Sequence, residues 1–196
     1  MYSSLPSFVL GFHGCDKKVA EDVLAGKKRL TSSQNDYDWL GNGIYFWENN
    51  PERAFSFASE YSKRKGNLVI KEPYAIGAII DLGHCLNLLD SKYLEIVKEG
   101  YNLLYRTSRN SGVELPENKG LFRNLDCAVI QAIHAYNKEI GEKEFTSVRA
   151  VFTEGEKLYE NAGFQEKNHI QICVRNPNCI KGYFRIMKPI KGFSVP

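Results

Sequence analysis

The sequence predicts an α+β fold in a single domain covering residues 1–196. Its 196 residues are 43% hydrophobic and 25% charged, a composition typical of a globular chain with one core. Helical patterns and strand-like segments follow one another without regular β-α alternation, which favours α+β over a doubly wound parallel sheet. No internal repeat, low-complexity tract or linker divides the chain, so one domain is expected.

The elements begin with a strand and a helix. Residues 9–12 are apolar β-formers and predict a short buried strand. Asp16 follows as a helix N-cap, and apolar residues recur at helical spacing as far as Gly26, which ends the helix. Residues 30–40 are polar and rich in turn-formers, so they predict a loop.

The next elements are a turn, two strands and a helix between them. Gly41-Asn42-Gly43 predicts a tight turn, because glycine tolerates backbone angles that other residues avoid. Residues 44–47 then form an aromatic strand. Asn50-Pro51-Glu52 predicts the start of a helix that ends at Lys65-Gly66, since it combines a capping amide, a first-turn proline and an acid. Residues 74–82 predict a further buried strand.

The second half predicts two helices, a loop and three strands. Asp90 caps the first helix, and residues 126–140 carry apolar side chains in register for the second. Gly, Asn, Ser and Pro throughout residues 107–119 predict a surface loop between these helices. The strands are expected at residues 148–152, 169–174 and 183–187.

Charge and cysteine content exclude several classes of protein. The net charge is +3, and the Lys and Arg residues are spread out, unlike the dense basic stripe of a dedicated nucleic-acid domain. The five cysteines are odd in number and lack CxxC spacing, so neither a zinc site nor a disulfide framework is expected. Reduced thiols, a start without signal-peptide pattern and no membrane-length apolar run predict a cytoplasmic protein with no membrane contact.

Three distant segments carry residues suited to chemistry. His13 ends the first strand beside Gly14, whose N–H and C=O can pair with a flat amide. Tyr45 follows the glycine turn, where its ring can stack on a planar heterocycle. Alternation puts Gln171 on one face of its strand, an odd place for an amide unless it meets a polar partner. Each also has an ordinary interpretation: a structural histidine, a hairpin with core aromatics and an edge-strand glutamine.

In order and spacing these segments resemble the H-Y-[E/Q] group of ADP-ribosyltransferases, which includes the poly(ADP-ribose) polymerase catalytic domain and diphtheria-toxin-like enzymes. The matching pieces are Phe12-His13-Gly14, Gly41-Asn42-Gly43-Ile44-Tyr45-Phe46, and Gln171 on a late strand. The middle piece is the most specific of the three. Residues 148–185 also resemble an uncharacterised bacterial protein family.

The resemblance implies two small antiparallel sheets around an NAD cleft with flanking helices, and NAD as co-substrate. His13 would bond the adenosine ribose, and Gly14 main-chain groups would hold the nicotinamide carboxamide. Tyr45 would stack on the nicotinamide ring, and Gln171 would bond the nicotinamide ribose. The other residues expected at the cofactor are Cys15, Gly43, Arg53 at the diphosphate, and Phe57 or Phe55 across the ring from the tyrosine.

Departures from the family pattern set the expected reaction. The polymerases carry Glu at the third position, whereas Gln171 is neutral and cannot act as a base, so transfer of a single ADP-ribose to a protein or nucleic-acid acceptor is expected. Cys15 stands after His13-Gly14, where the family usually carries Ser or Thr. Glu154 or Glu156 can supply a carboxylate or belong to a solvated loop, and Arg53 can instead pair with Glu52 or Glu60 on the surface.

Three other functions stay open at this point. An NAD glycohydrolase would use water as the acceptor. An RNA 2′-phosphotransferase-like domain would need a more basic pocket than the sequence indicates. A non-catalytic module would bind NAD or ADP-ribose without chemistry, and the neutral Gln171 keeps that interpretation open.

Overall fold

The computed structural model describes residues 8–64, 70–189 and 191–192. Within them lie nine strands and four α-helices. The strands are β1 (Phe8–Asp16), β2 (Ile44–Glu48), β3 (Pro73–Asp81), β4 (Cys85–Asn87), β5 (Asn118–Lys119), β6 (Phe122–Arg123), β7 (Ser147–Phe152), β8 (His169–Val174) and β9 (Ile180–Phe184). The helices are α1 (Lys17–Leu24), α2 (Pro51–Ser62), α3 (Ser91–Ser111) and α4 (Asn124–Glu139).

Seven strands form one mixed sheet in the order β4-β7-β8-β2-β1-β3-β9. Only β4 and β7 run parallel, and β5 and β6 pair separately. The α+β class is confirmed, but the two separate antiparallel sheets expected from the family resemblance are wrong, because hydrogen bonding runs through a single sheet. The contact between β1 and β2 has just two residue pairs, Gly11–Glu48 and Phe12–Trp47, the fewest of any neighbours in this sheet.

The two faces of the sheet bury different cores. Alternation along β1 sends Cys15 to the face covered by α1, where Ala20 and Val23 are buried. Phe12 and Gly14 therefore belong to the opposite face, which α2 covers near β1. Helices α3 and α4 cover the β7–β8 half of that second face. The β1–β2 contact thus lies where the α2 and α4 cores meet.

The predicted helix starts are confirmed by their caps. Asp16 accepts a hydrogen bond from Lys18 N–H at 2.9 Å, and Asn50 accepts one from Arg53 N–H at 2.9 Å. Helix α2 ends at Ser62, earlier than expected, and the predicted stop at residues 65–66 lies outside the described residues.

Three predictions of local structure need correction. Helix α3 continues to Ser111 where a loop was expected from residue 107, because hydroxyl groups bond carbonyls one turn back and Gly112 ends the helix in the left-handed conformation with φ of 69°. Strand β9 starts at Ile180 rather than 183, since Ile180 pairs with Ile80 of β3. The short strand β4 carries no local signal and depends on its pairing with β7.

Asp16 joins α1 to the segment before β3. Its carboxylate also accepts hydrogen bonds from Lys71 N–H at 2.7 Å and Glu72 N–H at 3.0 Å. These main-chain donors hold the pKa of Asp16 below its ordinary value. A lowered pKa means that this stabilisation is complete above the unfolded-state pKa and is lost as the pH falls through the folded-state pKa.

We expect Asp16→Ala to lower the free energy of unfolding by about 1–2 kcal/mol at pH 7, because it removes a helix cap and two further bonds. The difference from wild type should shrink below about pH 4. Urea unfolding at pH 7 and pH 3 measures both effects, with Glu21→Ala on the exposed side of α1 as control. A loss that is equal at both pH values would contradict this role.

Candidate active site at the β1–β2 gap

The main chains of β1 and β2 separate immediately after their second residue pair. Leu10 C=O accepts from Asn49 N–H at 2.9 Å, and Lys17 N–H donates to Glu72 C=O at 2.8 Å. Antiparallel alternation then directs the N–H and C=O of even-numbered β1 residues toward β2. Gly14 therefore faces β2 opposite Tyr45, yet the pairing has already ended. We call this separation the β1–β2 gap.

The His13 imidazole occupies one side of the gap. Its Nδ1 lies 2.8 Å from the Tyr45 carbonyl oxygen, the group that a continued ladder would join to Gly14 N–H. A carbonyl only accepts, so Nδ1 carries the hydrogen and Nε2 remains as an acceptor. Burial lowers the pKa of His13, and the bond to the Tyr45 carbonyl opposes this, so the ring is neutral at pH 7. The His13 ring also lies 5.7 Å from the Phe46 ring.

The consequence for Gly14 is a donor and an acceptor without a β-ladder partner. In an extended strand the N–H and C=O of one residue point to the same side. The residue pairs between β1 and β2 end at Phe12–Trp47, so both Gly14 groups face the gap beyond the paired part of the two strands. Main-chain groups in such a position need water or a ligand. Their arrangement complements a primary amide, which carries one acceptor and one donor side by side.

Gly14 is also required by helix packing. A Cβ at Gly14 would lie 2.1 Å from the Ala54 carbonyl oxygen and 3.4 Å from the Ala58 Cβ. The backbone of α2 thus passes directly over this residue. The space that a side chain would need at this position is filled by α2. The ligand-facing groups of Gly14 are those of its main chain.

The Tyr45 phenol closes the glycine turn. Its hydroxyl donates to Gly41 C=O at 2.8 Å and accepts from Leu40 N–H at 3.0 Å. Burial raises the pKa of Tyr45 well above its ordinary value, and Cys173 adds to this. The phenol is therefore a neutral structural group. The half-buried ring is fixed in place, which suits stacking better than proton transfer.

Gln171 is oriented by a tryptophan that the sequence did not single out. Its Oε1 accepts from Trp39 Nε1–H at 2.7 Å. An indole only donates, so this bond fixes the amide orientation and leaves the Gln171 NH₂ as the group available to a ligand. Gln171 lies opposite Trp47 in the β2–β8 register. No local sequence signal connects Trp39 with Gln171, because the two are 132 residues apart.

The three predicted catalytic residues lie on three adjacent strands. Register places Tyr45 and Gln171 on the face covered by α2 and α4. His13 projects from the other face and reaches the Tyr45 main chain at the gap. Two cavities of about 350 and 320 Å³ lie elsewhere, and His13, Tyr45 and Gln171 line neither. Of the three side chains, His13 reaches the Tyr45 main chain at the gap, whereas the Gln171 amide bonds Trp39.

Two of the expected cofactor residues have structural roles instead. A Cβ at Gly43 would lie 2.4 Å from Cys173 Sγ, and both main-chain groups of Gly43 bond Ser33, so it offers nothing to a ligand. Cys15 is buried in the core under α1, where desolvation raises the pKa of its thiol to about 11. Strand alternation carries Cys15 away from the second face, which corrects its expected role.

Arg53 is buried and paired rather than offered to a diphosphate. Its Nη2 lies 2.8 Å from Glu154 Oε2, and its Nη1 lies 3.8 Å from Glu60. Of the alternative pairings, the one with Glu60 is present, although Arg53 is buried instead of lying on the surface, and no such contact is seen with Glu52. The Glu154 carboxylate is therefore engaged in an ion pair with Arg53. Glu156 is exposed in the same loop, as the solvated-loop interpretation expects.

Phe57 contacts Trp47 rather than Tyr45. The Phe57 and Trp47 rings lie 4.9 Å apart, so Phe57 packs beside the end of β2. Phe55 is half exposed and lines the 320 Å³ apolar cavity outside α2. Neither ring is placed across from the Tyr45 ring. Helical spacing identified both as candidates but could not say which strand residue each would meet.

The described residues contain no cluster of three His, Cys, Asp or Glu side chains able to hold a metal ion. No helix within that part of the chain combines the length and apolar character that crossing a bilayer requires. All five cysteines are free thiols.

Comparison with known proteins gives a relative that covers most of the chain. The chain is 30% identical to the uncharacterised protein MJ0359 of Methanocaldococcus jannaschii over 203 aligned residues, which cover 94% of this chain and 91% of that protein. No protein-family profile matches the chain. No solved structure matches it either.

We expect Gly14→Ala to lower the free energy of unfolding by about 1–3 kcal/mol, because the added methyl group forces α2 away from β1. Gly182→Ala in β9 is the matched control, since nothing lies within 4 Å of a Cβ there. Urea unfolding of both variants decides the point. Equal stability of the two variants would contradict the packing of α2 on Gly14.

Proposed function

The chain belongs to the same family as the archaeal protein MJ0359, and we propose that it is an NAD-dependent mono-ADP-ribosyltransferase. In this proposal NAD is a co-substrate, nicotinamide is released, and ADP-ribose passes to a protein or nucleic-acid acceptor. The observation that carries it is the unpaired Gly14 N–H and C=O at the gap that His13 holds open. The same residues carry the motif resemblance.

The carboxamide of nicotinamide matches the Gly14 main chain. Its oxygen would accept from Gly14 N–H, and its NH₂ would donate to Gly14 C=O. Two parallel hydrogen bonds fix the plane of the pyridinium ring as well as its position. A carboxylate fits poorly, because it has no donor for the Gly14 carbonyl. The site therefore selects an amide over an acid.

The ribose contacts follow from the two fixed side-chain orientations. His13 Nε2 is an acceptor, because Nδ1–H is committed to the Tyr45 carbonyl, so it would bond a ribose hydroxyl hydrogen. Gln171 NH₂ is a donor, because Trp39 holds its Oε1, so it would bond a ribose oxygen. The Tyr45 ring, fixed by its hydroxyl, would stack on nicotinamide.

The reaction breaks the bond between ribose C1′ and the nicotinamide nitrogen. That step builds positive charge on the ribose, as in glycoside cleavage. Gln171 is neutral and presents a donor, so the chain's contribution would be orientation of the ribose and exclusion of water from the stacked ring. Polymer growth needs a base at the acceptor hydroxyl, and Gln171 supplies none. Transfer of a single unit fits this site.

A non-catalytic module that binds NAD or ADP-ribose is the second candidate. It is favoured by the pairing of Glu154 with Arg53, which leaves Gln171 without help from that carboxylate. The two candidates share the amide recognition by Gly14 and differ in whether nicotinamide is released.

Nicotinamide is expected to shift the backbone amide resonance of Gly14 in a ¹⁵N spectrum, and to bind about tenfold or more tightly than nicotinic acid. The acid leaves the Gly14 carbonyl without a donor. The control signal is the Gly182 amide in β9, which should not move. Equal binding of amide and acid, or an unmoved Gly14 signal at saturation, would rule out the proposed recognition.

Incubation with labelled NAD and whole-cell extract is expected to release nicotinamide and to label a macromolecule. Digestion with protease and nuclease in separate arms identifies the acceptor class. Trp39→Phe should reduce kcat/KM about tenfold, because Gln171 loses its orienting bond. Tyr136→Phe on the exposed face of α4 is the control. Binding of NAD without any nicotinamide release would favour the non-catalytic module, and free ADP-ribose alone would identify a glycohydrolase.

A further inference from the structure

A polar cavity of about 350 Å³ lies at one end of the strands, next to the start of β7 and the end of β8. That volume falls within the range of small-molecule sites. The polar residues that line it are Ser32, Asn42, Glu144, Thr146, Arg175 and Asn176. None of them takes part in the proposed reaction. We call this space the Arg175 cavity.

Arg175 is a partly buried cation with little compensation, because its side chain is 20% exposed. Its Nη1 donates to Phe145 C=O at 3.3 Å and lies 3.7 Å from a carboxylate oxygen of Glu144. The Glu144 side chain is half exposed, so solvent screens this pair. The Arg175 Nε is buried and has no hydrogen-bond partner. A desolvated N–H without a partner costs free energy, and an anion beside the guanidinium would offset part of that cost.

The interior behind Arg175 supplies no anion. His134 is buried, and both of its ring nitrogens lack partners. Burial, and then the charge of Arg175, lower the pKa of His134 to about 3, so the ring is neutral. Burial raises the pKa of the Cys173 thiol to about 12, so it is neutral too. Among the described residues near Arg175, the negative charge therefore comes from Glu144 at the exposed rim of the cavity.

The amide of Asn176 adds a donor to the cavity. Its Oδ1 accepts from Asn178 N–H at 3.0 Å, so the Nδ2 hydrogens remain for a ligand. The exposed part of the Arg175 side chain also lines the cavity, so the wall offers donors from two residues to one bound group. Adjacent planar donors of this kind suit an oxyanion, and the arginine fork matches two of its oxygens.

We propose that the Arg175 cavity binds the phosphate group of a small molecule. Arg175 and Asn176 donate to the phosphate oxygens, and the remaining volume holds the group attached to the phosphate. Glu144 at the rim opposes binding, because its charge has the same sign as the ligand. This site is separate from the β1–β2 gap and does not depend on the proposed NAD chemistry.

The test is a titration followed at the Arg175 Nε–H resonance in a ¹⁵N spectrum. The probes are inorganic phosphate, AMP and adenosine, each at constant ionic strength set with sodium chloride. We expect phosphate and AMP to shift this resonance saturably, with AMP binding more tightly, and adenosine to leave it unmoved. An unmoved resonance with both phosphate compounds, or an equal response to adenosine, overturns the proposal.

Two variants sharpen the result. Glu144→Gln should tighten phosphate binding about threefold, because it removes the opposing charge from an exposed position. Followed at the Asn176 side-chain amide instead, Arg175→Gln should abolish binding, while Arg109→Gln in α3 should leave it unchanged. If Arg175→Gln does not fold, the Glu144→Gln titration still decides, since weaker or unchanged phosphate binding in that variant contradicts the proposal.

Discussion

The hydrogen bond from the His13 imidazole to the Tyr45 carbonyl sets the character of the whole site. It occupies the carbonyl that a continued ladder would join to Gly14 N–H, and it does so with a neutral ring whose pKa burial lowers. Beside this contact the ladder ends after two residue pairs, and Gly14 has no residue pair with β2. The sheet stays continuous. The neighbouring strands with the fewest residue pairs, β1 and β2, are the ones whose main chain faces the gap.

The surrounding elements keep this opening rigid. Helix α2 lies against Gly14, and the Tyr45 phenol ties β2 to the glycine turn. Trp39 fixes the Gln171 amide on the next strand. Each of these groups is already committed to a structural bond, so ligand recognition falls to the atoms left over: the Gly14 main chain, His13 Nε2 and the Gln171 NH₂. That set complements an amide and hydroxyl groups, and it contains no carboxylate.

The sequence predicted local features well and long-range pairings poorly. Caps at Asp16 and Asn50 could be found because a capping side chain and its N–H partner lie within three residues. The Arg53–Glu154 pair joins residues 101 positions apart, and the Gly43 environment comes from β8, so neither had a local signal. The motif resemblance picked out His13, Tyr45 and Gln171, which lie on adjacent strands. Side-chain alternation along a strand could not show that His13 would bond the main chain of Tyr45.

Hydrogen exchange at two amides of β1 tests the central claim most directly. Phe12 and Gly14 both direct their N–H groups toward β2, and only Phe12 lies in a residue pair with that strand. In the ligand-free protein the Gly14 amide should therefore exchange orders of magnitude faster than the Phe12 amide. Equal protection of the two amides would mean that the ladder continues to Gly14, and that His13 does not hold the strands apart.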